Sequence, residues 1–134
     1  MPTMKEQHWG RIINIDRLTN RSSDLLSGMR NVAICHLTKT LSDQLGPSGI
    51  TVNVVHPGVI RTPHLTDLFA KEAQKCRTTA AAVEADFVAR TPTRRILEAE
   101  EIANTVAFLS SAYGASITGE SLAVDGGITR GIFL

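Results

Sequence analysis

The run ITVNVV at residues 50–55 is the feature that most restricts how this chain can fold. Its apolar residues are mostly β-branched and nearly continuous, whereas a half-exposed strand alternates apolar with polar residues. β-branched residues favour strands, and a strand without alternation is typical of a parallel sheet covered on both faces. The run therefore predicts a buried parallel strand in an α/β protein.

Two more strands and two regular helices are predicted around this run. RIINI at 11–15 and ESLAVDGG at 120–127 have the length and composition of strands. Helical patterns cover about 25–45 and about 99–110. Strands that alternate with helices over long crossovers imply parallel pairing and right-handed connections.

The apolar residues of each predicted helix recur every third or fourth position, so that one face of each helix is expected to contact the core. They are Ala33, Leu37 and Leu41 in the first helix, with Ile34 and Leu45 widening the stripe, and Ile102, Val106 and Leu109 in the second. The stretch 64–95 is less regular. Its Ala-rich part predicts two short helices, and we expect 64–95 to be the most mobile region of the chain.

Composition places the chain among ordinary globular proteins and predicts a single domain over residues 1–134. A formal net charge of +1 argues against nucleic-acid binding. No apolar run reaches the ~20 residues that a membrane-spanning helix needs. The two cysteines, Cys35 and Cys76, and the four histidines lack metal-ligand spacing, so that no metal site is predicted. Reduced structural thiols are typical of a cytoplasmic protein.

Four blocks together resemble the C-terminal half of the short-chain dehydrogenase/reductase family: GRIINI, LTKTLSDQLGPSGITVNVVHPGVIRTP, EEIANTVAFLSS and ITGESLAVDGG. The resemblance implies an α/β fold, namely a partial Rossmann-type, doubly wound parallel sheet made of the family's last three strands with their helices. It also implies an oxidoreductase that uses NAD or NADP, and it makes 64–95 the substrate loop. Substrate and cofactor preference are not readable from the sequence.

The family's catalytic side chains are not found at the positions where the resemblance places them. Family enzymes use a Tyr, a Lys four residues later, and a Ser at the end of the preceding strand. The Tyr position falls on Ser27, the Lys position on Asn31, and the Ser position on Asp16 or Arg17. The single tyrosine, Tyr113, lies beyond the last helix. Loss of the phenol and the ammonium group predicts a pseudoenzyme without the standard proton relay.

HPGVIRTP, which follows the buried strand, is the best-preserved functional element. In the family this loop curves round the nicotinamide, so that Pro57, Gly58, Ile60 and Thr62 are the predicted cofactor-binding residues. The glycine-rich loop that holds the pyrophosphate in the family is not found in this sequence, so we expect weak binding by this chain alone. Asp16, Arg17, Arg30 and Asn31 are expected near the same edge of the sheet, either as a non-standard polar site or as locally paired surface charges.

Two functions remain open at this point. The chain is either the C-terminal part of an NAD(P)-dependent oxidoreductase or a non-catalytic interaction and oligomerisation module, including a truncated fragment of a longer family member. In relatives the helix at 25–45 pairs with its twofold mate, so that Val32, Ile34 and Cys35 are predicted dimer contacts. An open edge of the strand at 11–15 also predicts association, either with itself or with a chain that supplies the missing half.

Overall fold

The structure is a computed structural model that describes residues 2–16 and 27–130, with the side chain of Ser27 outside the description. Arg17 therefore lies outside the described residues. In chain order, the helices are α1 (Pro2–Glu6), α2 (Ser27–Leu45), α3 (Pro63–Cys76), α4 (Ala80–Arg90) and α5 (Ala99–Ser110). The strands are β1 (Gly10–Ile15), β2 (Ile50–Pro57) and β3 (Ser121–Val124).

The three strands form one parallel sheet in the order β1-β2-β3. Arg11 of β1 is opposite Thr51 of β2, and Val54 of β2 is opposite Ser121 of β3. The predicted order of strands and helices is confirmed, and the architecture is a partial Rossmann-type α/β fold. The short helix α1 was not predicted.

β3 is shorter than the predicted strand because the chain turns after Val124. Gly126 and Gly127 have φ of 66° and 83°, which is the left-handed region that glycine enters without strain. The Asp125 carboxylate accepts a hydrogen bond from the Gly127 amide at 2.8 Å and so fixes the turn. The strand therefore ends before the glycine pair.

β2 is the centre of the core, as its composition predicts, since seven consecutive residues from Ile50 are buried. On one face, Ile50 and Val52 pack with Leu45 at the end of α2. On the other face, Val55 packs with Ile102 and Leu109 of α5. The prediction that α5 contacts the core through Ile102 and Leu109 is thus confirmed, and β2 is covered on both faces.

The predicted core-facing stripe of α2 is correct at its C-terminal end, where Leu41 and Leu45 pack with Ile50 and Val52, and wrong further towards the start of the helix. Ala33 is exposed and Leu37 is 46% exposed, and both point away from the sheet. Three polar residues that were not predicted, Asn31, Thr38 and Ser42, are buried along the helix. The Asn14 amide of β1 donates to the Thr38 hydroxyl at 3.1 Å, so this face of α2 meets the sheet partly through hydrogen bonds. The side of α2 that carries the apolar residues Ala33 and Leu37 faces outward.

The predicted pair of helices within 64–95 is confirmed as α3 and α4. Phe69 of α3 and Phe87 of α4 lie with their ring centroids 5.4 Å apart, and Phe69 is buried with Leu65 and Ile96. Aromatic pairs at this separation stabilise a helix contact beyond simple burial. The mobility of this region stays a prediction.

Candidate functional site

The candidate site lies where the carboxyl ends of β1 and β2 meet, which is where open α/β sheets bind ligands. Asp16 directly follows β1, and its amide donates to the Val55 carbonyl at 3.0 Å. The loop 57–62 follows β2 and leads into α3. Thus β1 and β2 bring the predicted cofactor loop and one of the predicted polar residues to the same edge of the sheet.

The loop 57–62 begins with a close approach to the end of β3. The Gly58 amide donates to the Val124 carbonyl at 2.9 Å. A Cβ atom at Gly58 would lie only 2.6 Å from Cα of Asp125, which is backbone and has little room to move. Glycine is therefore required here by packing, and its small size fixes where the loop starts.

A single parallel bridge holds the middle of the loop. Ile60 is opposite Leu97. The Arg61 amide donates to the Leu97 carbonyl at 2.8 Å, and the Leu97 amide donates to the Val59 carbonyl at 3.1 Å. Among the described residues, these bonds use the groups on either side of Ile60 and not its own amide and carbonyl. The Ile60 main chain is thereby held in extended form with one donor and one acceptor facing away from Leu97.

The end of the loop is fixed by a helix cap and an ion-pair cluster. Thr62 is the N-cap of α3, and its hydroxyl oxygen accepts from the Leu65 amide at 3.3 Å, which leaves its own proton available to donate. Arg61 contacts Glu84 at 2.9 Å and Glu98 at 3.4 Å, so it joins the loop to α4 and to the residue before α5. The hydrogen bond and charge of Glu84, with a smaller contribution from Glu98, raise the pKa of Arg61.

Asp125, which directly follows β3, stabilises the turn that contacts the start of the loop. Its two carboxylate oxygens accept from the Gly127 amide at 2.8 Å and from the Thr129 amide at 2.9 Å. Burial acts to raise the pKa of Asp125, but hydrogen bonds from the side chain and amide of Thr129 and from the Gly127 amide outweigh it, so that the pKa is lowered. The carboxylate is therefore charged at neutral pH, and it holds the turn against which Gly58 packs.

The positions that the resemblance assigns to catalysis lie at the start of α2. Ser27 is the first residue of that helix, and Asn31 follows one turn later on the buried face, with no exposed surface. Arg30 is exposed, and its Nε donates to Oδ1 of Asn31 at 3.4 Å. Tyr113 lies in a single turn after α5 and is 88% exposed. The residue replacement at these positions remains a prediction.

No salt bridge joins Asp16 to Arg30 in the described part of the chain, and local pairing that involves Arg17 falls outside it. One carboxylate oxygen of Asp16, Oδ2, is buried and has no hydrogen-bond partner among residues 2–16 and 27–130. A buried acceptor of this kind is costly to leave unpaired. The edge of the sheet thus presents an unused acceptor beside the cofactor loop.

Sequence reasoning missed a partly buried polar cluster between α2 and the sheet. Cys35 of α2 places its Sγ 3.5 Å from Nε2 of His56 and 3.7 Å from Oγ of Ser121, and the same Nε2 lies 2.8 Å from that Oγ. The one sequence feature that points to this cluster is that Cys35 follows Asn31 by four residues, which places both residues on one face of α2. The meeting with His56 and Ser121 depends on three separate elements and has no local pattern.

A cavity of about 470 Å³ lies between α3 and α4. Its walls are mostly apolar and include Leu68, Phe69, Val83 and Phe87. Within the described ranges, no group of three or more histidine, cysteine or acidic side chains is placed to hold a metal ion. None of the helices there has the length and hydropathy to cross a bilayer.

Comparison with known proteins gives consistent matches along the chain. The sequence model of the family described as enoyl-(acyl carrier protein) reductase matches residues 1–129. The NADPH-dependent reductase BacG of Bacillus subtilis is 33% identical over 132 residues, which is 96% of this chain and 51% of BacG. The 3-oxoacyl-[acyl-carrier-protein] reductase FabG of Escherichia coli is 37% identical over 130 residues, covering 93% of this chain and 48% of FabG.

Solved structures show the same partial coverage. The NADPH-dependent reductase YwfH, involved in bacilysin biosynthesis, superposes with a TM-score of 0.82 at 33% identity, covering 96% of this chain and 50% of YwfH. A blue fluorescent protein from a metagenomic library, solved in complex with NADPH, superposes with a TM-score of 0.71 at 34% identity, covering 90% of this chain and 45% of that protein. The chain spans about half the length of the curated relatives it matches.

Proposed function

Since this chain belongs to the short-chain dehydrogenase/reductase family, we propose that it forms the nicotinamide side of an NAD(P) site in an oxidoreductase. The observation that carries the proposal is the loop 57–62. There the Ile60 main chain is held extended by the groups on either side of it, so that its own amide and carbonyl face away from Leu97. A carboxamide offers one acceptor and one donor group, which complements that pair.

The residues present fit the nicotinamide end of the cofactor. The Ile60 amide and carbonyl would hold the carboxamide, and the Thr62 hydroxyl would add a donor while its oxygen caps α3. When bound, the cofactor supplies hydride transfer. The chain's own contribution is to position the ring, since Gly58 and Asp125 fix the loop in place before any ligand arrives.

The proton step is where this chain departs from the family. Asn31 is a neutral amide and carries no positive charge with which to lower the pKa of a neighbouring donor, so standard reduction of a carbonyl by the family's relay is not expected here.

The α3–α4 cavity is the part of the substrate region that this chain supplies, and its apolar walls favour an apolar substrate portion. A cytoplasmic location is supported by two cysteines that form no disulfide.

The test of cofactor binding uses two threonines with the same structural role. Thr62 caps α3 and Thr79 caps α4, each accepting an amide hydrogen bond through its hydroxyl oxygen. Replacement of either with alanine costs about 1 kcal/mol of helix stability. We expect a saturable change in cofactor fluorescence when the chain is titrated with NADH or NADPH. Thr62→Ala should weaken this binding by about fivefold to tenfold, while Thr79→Ala leaves it unchanged.

Thr62→Ser, which keeps the hydroxyl, should bind as the original chain does. Absence of saturable binding by the original chain at millimolar cofactor would overturn the proposal. Equal weakening by Thr62→Ala and Thr79→Ala would show that only helix stability matters.

A second candidate function, an oligomerisation module, is favoured by the outward face of α2. Met29 is 74% exposed, Val32 52% and Leu37 46%, all on one helix. Exposed apolar residues grouped in this way mark contact surfaces. Sedimentation velocity should show an assembled species for the original chain and a smaller one for Val32→Asp. Ala85→Asp, on the exposed side of α4, is the matched control and should leave the assembly intact. A monomer in all three samples would remove this candidate.

A further inference from the structure

Three elements bring a thiol, an imidazole and a hydroxyl together on the α2 side of the sheet. Cys35 comes from α2, His56 from the end of β2, and Ser121 from the start of β3. The Cys35 Sγ lies 3.5 Å from Nε2 of His56, and Oγ of Ser121 lies 2.8 Å from the same nitrogen. His56 has no exposed surface, whereas Cys35 is partly exposed. Cys35 is therefore partly accessible to solvent, whereas its basic neighbour is enclosed.

This arrangement provides what a nucleophilic thiol requires. The thiolate is the reactive form of cysteine, and an adjacent histidine is the usual group that takes the thiol proton. A serine hydroxyl can donate to an unprotonated ring nitrogen and can accept from a protonated one. Ser121 can thus hold the His56 ring in one orientation through both states, which makes it a positioning residue.

We propose that Cys35 is a site of thiol–disulfide exchange with low-molecular-weight disulfides, with His56 as the group that moves the proton. The proposal concerns residues that lie wholly within α2, β2 and β3, and it is independent of cofactor binding. It also explains a buried histidine that the cofactor loop does not use.

The exchange balances without another reactant. The Cys35 thiol gives its proton to Nε2 of His56 as the sulfur attacks one sulfur of the small disulfide. A new sulfur–sulfur bond forms on Cys35 while that of the reagent breaks, and the electron pair of the broken bond leaves with the departing sulfur. The departing thiolate then takes the proton from His56. Cys35 is oxidised, and the departing half of the reagent is reduced to a thiol.

Cys76 is an internal comparison for this reaction. It is exposed at the end of α3, and its thiol contacts the Glu72 carboxylate at 3.8 Å rather than an imidazole. Exposure alone would therefore make Cys76 the faster of the two cysteines. The proposal requires the opposite order.

The experiment treats the folded chain with excess bis(2-hydroxyethyl) disulfide, quenches with acid, and measures the modification of each cysteine by peptide mass spectrometry. Cys35 should react faster than Cys76. In concentrated urea the two rates should become similar, because the neighbours of Cys35 are lost. His56→Gln should slow Cys35 by at least about tenfold, in keeping with the usual size of general-base catalysis, and leave Cys76 unchanged. The exposed His64→Gln is the matched control and should have no effect.

His56 is buried, so its replacement can disturb folding. Ser121 is partly exposed, and Ser121→Ala should slow Cys35 severalfold, whereas Ser121→Thr, which keeps a hydroxyl, should restore much of the rate. Faster reaction of Cys76 in the folded chain would overturn the proposal. So would a Cys35 rate that neither His56→Gln nor Ser121→Ala lowers.

Discussion

Asn53→Ala should destabilise the chain more than any other asparagine replacement on the sheet. Asn53 lies in the middle of β2 with no exposed surface. Its amide donates to the Ile117 carbonyl at 2.8 Å, and its Oδ1 accepts from the Glu120 amide at 3.1 Å. These two hydrogen bonds attach the segment before β3 to the central strand, as the backbone of a neighbouring strand would.

The expected loss in the free energy of unfolding follows from the two backbone groups that the alanine leaves without a hydrogen bond. Two backbone groups lose their partners, and each costs about 1–3 kcal/mol when water cannot replace the bond. Ile117 is only partly buried and Glu120 is exposed, which places the sum near the lower end, at about 2–4 kcal/mol. With a urea m-value of about 1–3 kcal/mol/M for a small domain, the midpoint of unfolding should fall by about 1–2 M.

Urea unfolding followed by far-UV circular dichroism measures this change. Asn104→Ala is the matched control, because Asn104 is exposed on α5 and its replacement should alter the free energy of unfolding by no more than about 0.5 kcal/mol. A loss of less than about 1 kcal/mol for Asn53→Ala would show that water or a rearranged loop satisfies both backbone groups, and the reasoning would be refuted.

Three other predictions concern the site and its support. Gly58→Ala places a Cβ 2.6 Å from Cα of Asp125 and should cost about 1–3 kcal/mol, seen as a lower Tm; an unchanged Tm would mean that the loop can move aside. Leu109→Ala should cost about 2–5 kcal/mol in the same measurement, because Leu109 of α5 is fully buried against the sheet, and a change below about 1 kcal/mol would contradict this. The hydrogen bond from Arg95, followed by that from the Glu98 amide, lowers the pKa of Glu101 to about 2, so the stabilisation of its charged form is present above the unfolded pKa and is lost as pH falls towards 2. The carboxyl titration followed by NMR should shift to higher pH in Arg95→Gln, and an unshifted midpoint would exclude the ion pair as the cause.

Local patterns were sufficient to predict the strands and the order of helices. The β-branched run of β2 and the paired short helices of α3 and α4 are both as expected, because each is encoded within a few neighbouring residues. The end of β3 was misplaced since the turn depends on an Asp125 side chain that bonds two and four residues ahead. A side-chain hydrogen bond of this kind favours a turn over a continued strand, although the residue composition of the segment is still typical of a strand.

The orientation of α2 could not be read from its own sequence. Apolar positions Ala33, Leu37 and Leu41 repeat with the same period as the buried Thr38 and Ser42, so that periodicity alone does not show that Ala33 and Leu37 face outward while Leu41 packs on the core. Which face of α2 is buried depends on Asn14 of β1, whose side-chain amide donates a hydrogen bond to Thr38 from a distant part of the sequence. His56 and Cys35 come together for the same kind of long-range reason.

The two helices that cover β2 should respond differently to temperature. Burial of apolar surface gives unfolding its large positive heat capacity change, whereas burial of polar surface reduces that change. α5 docks through Ile102 and Leu109, so its attachment weakens as the solution is cooled. α2 docks partly through Thr38 and Ser42, and its contact is correspondingly less sensitive to cold. Near freezing, the α5 side of the sheet should therefore loosen before the α2 side.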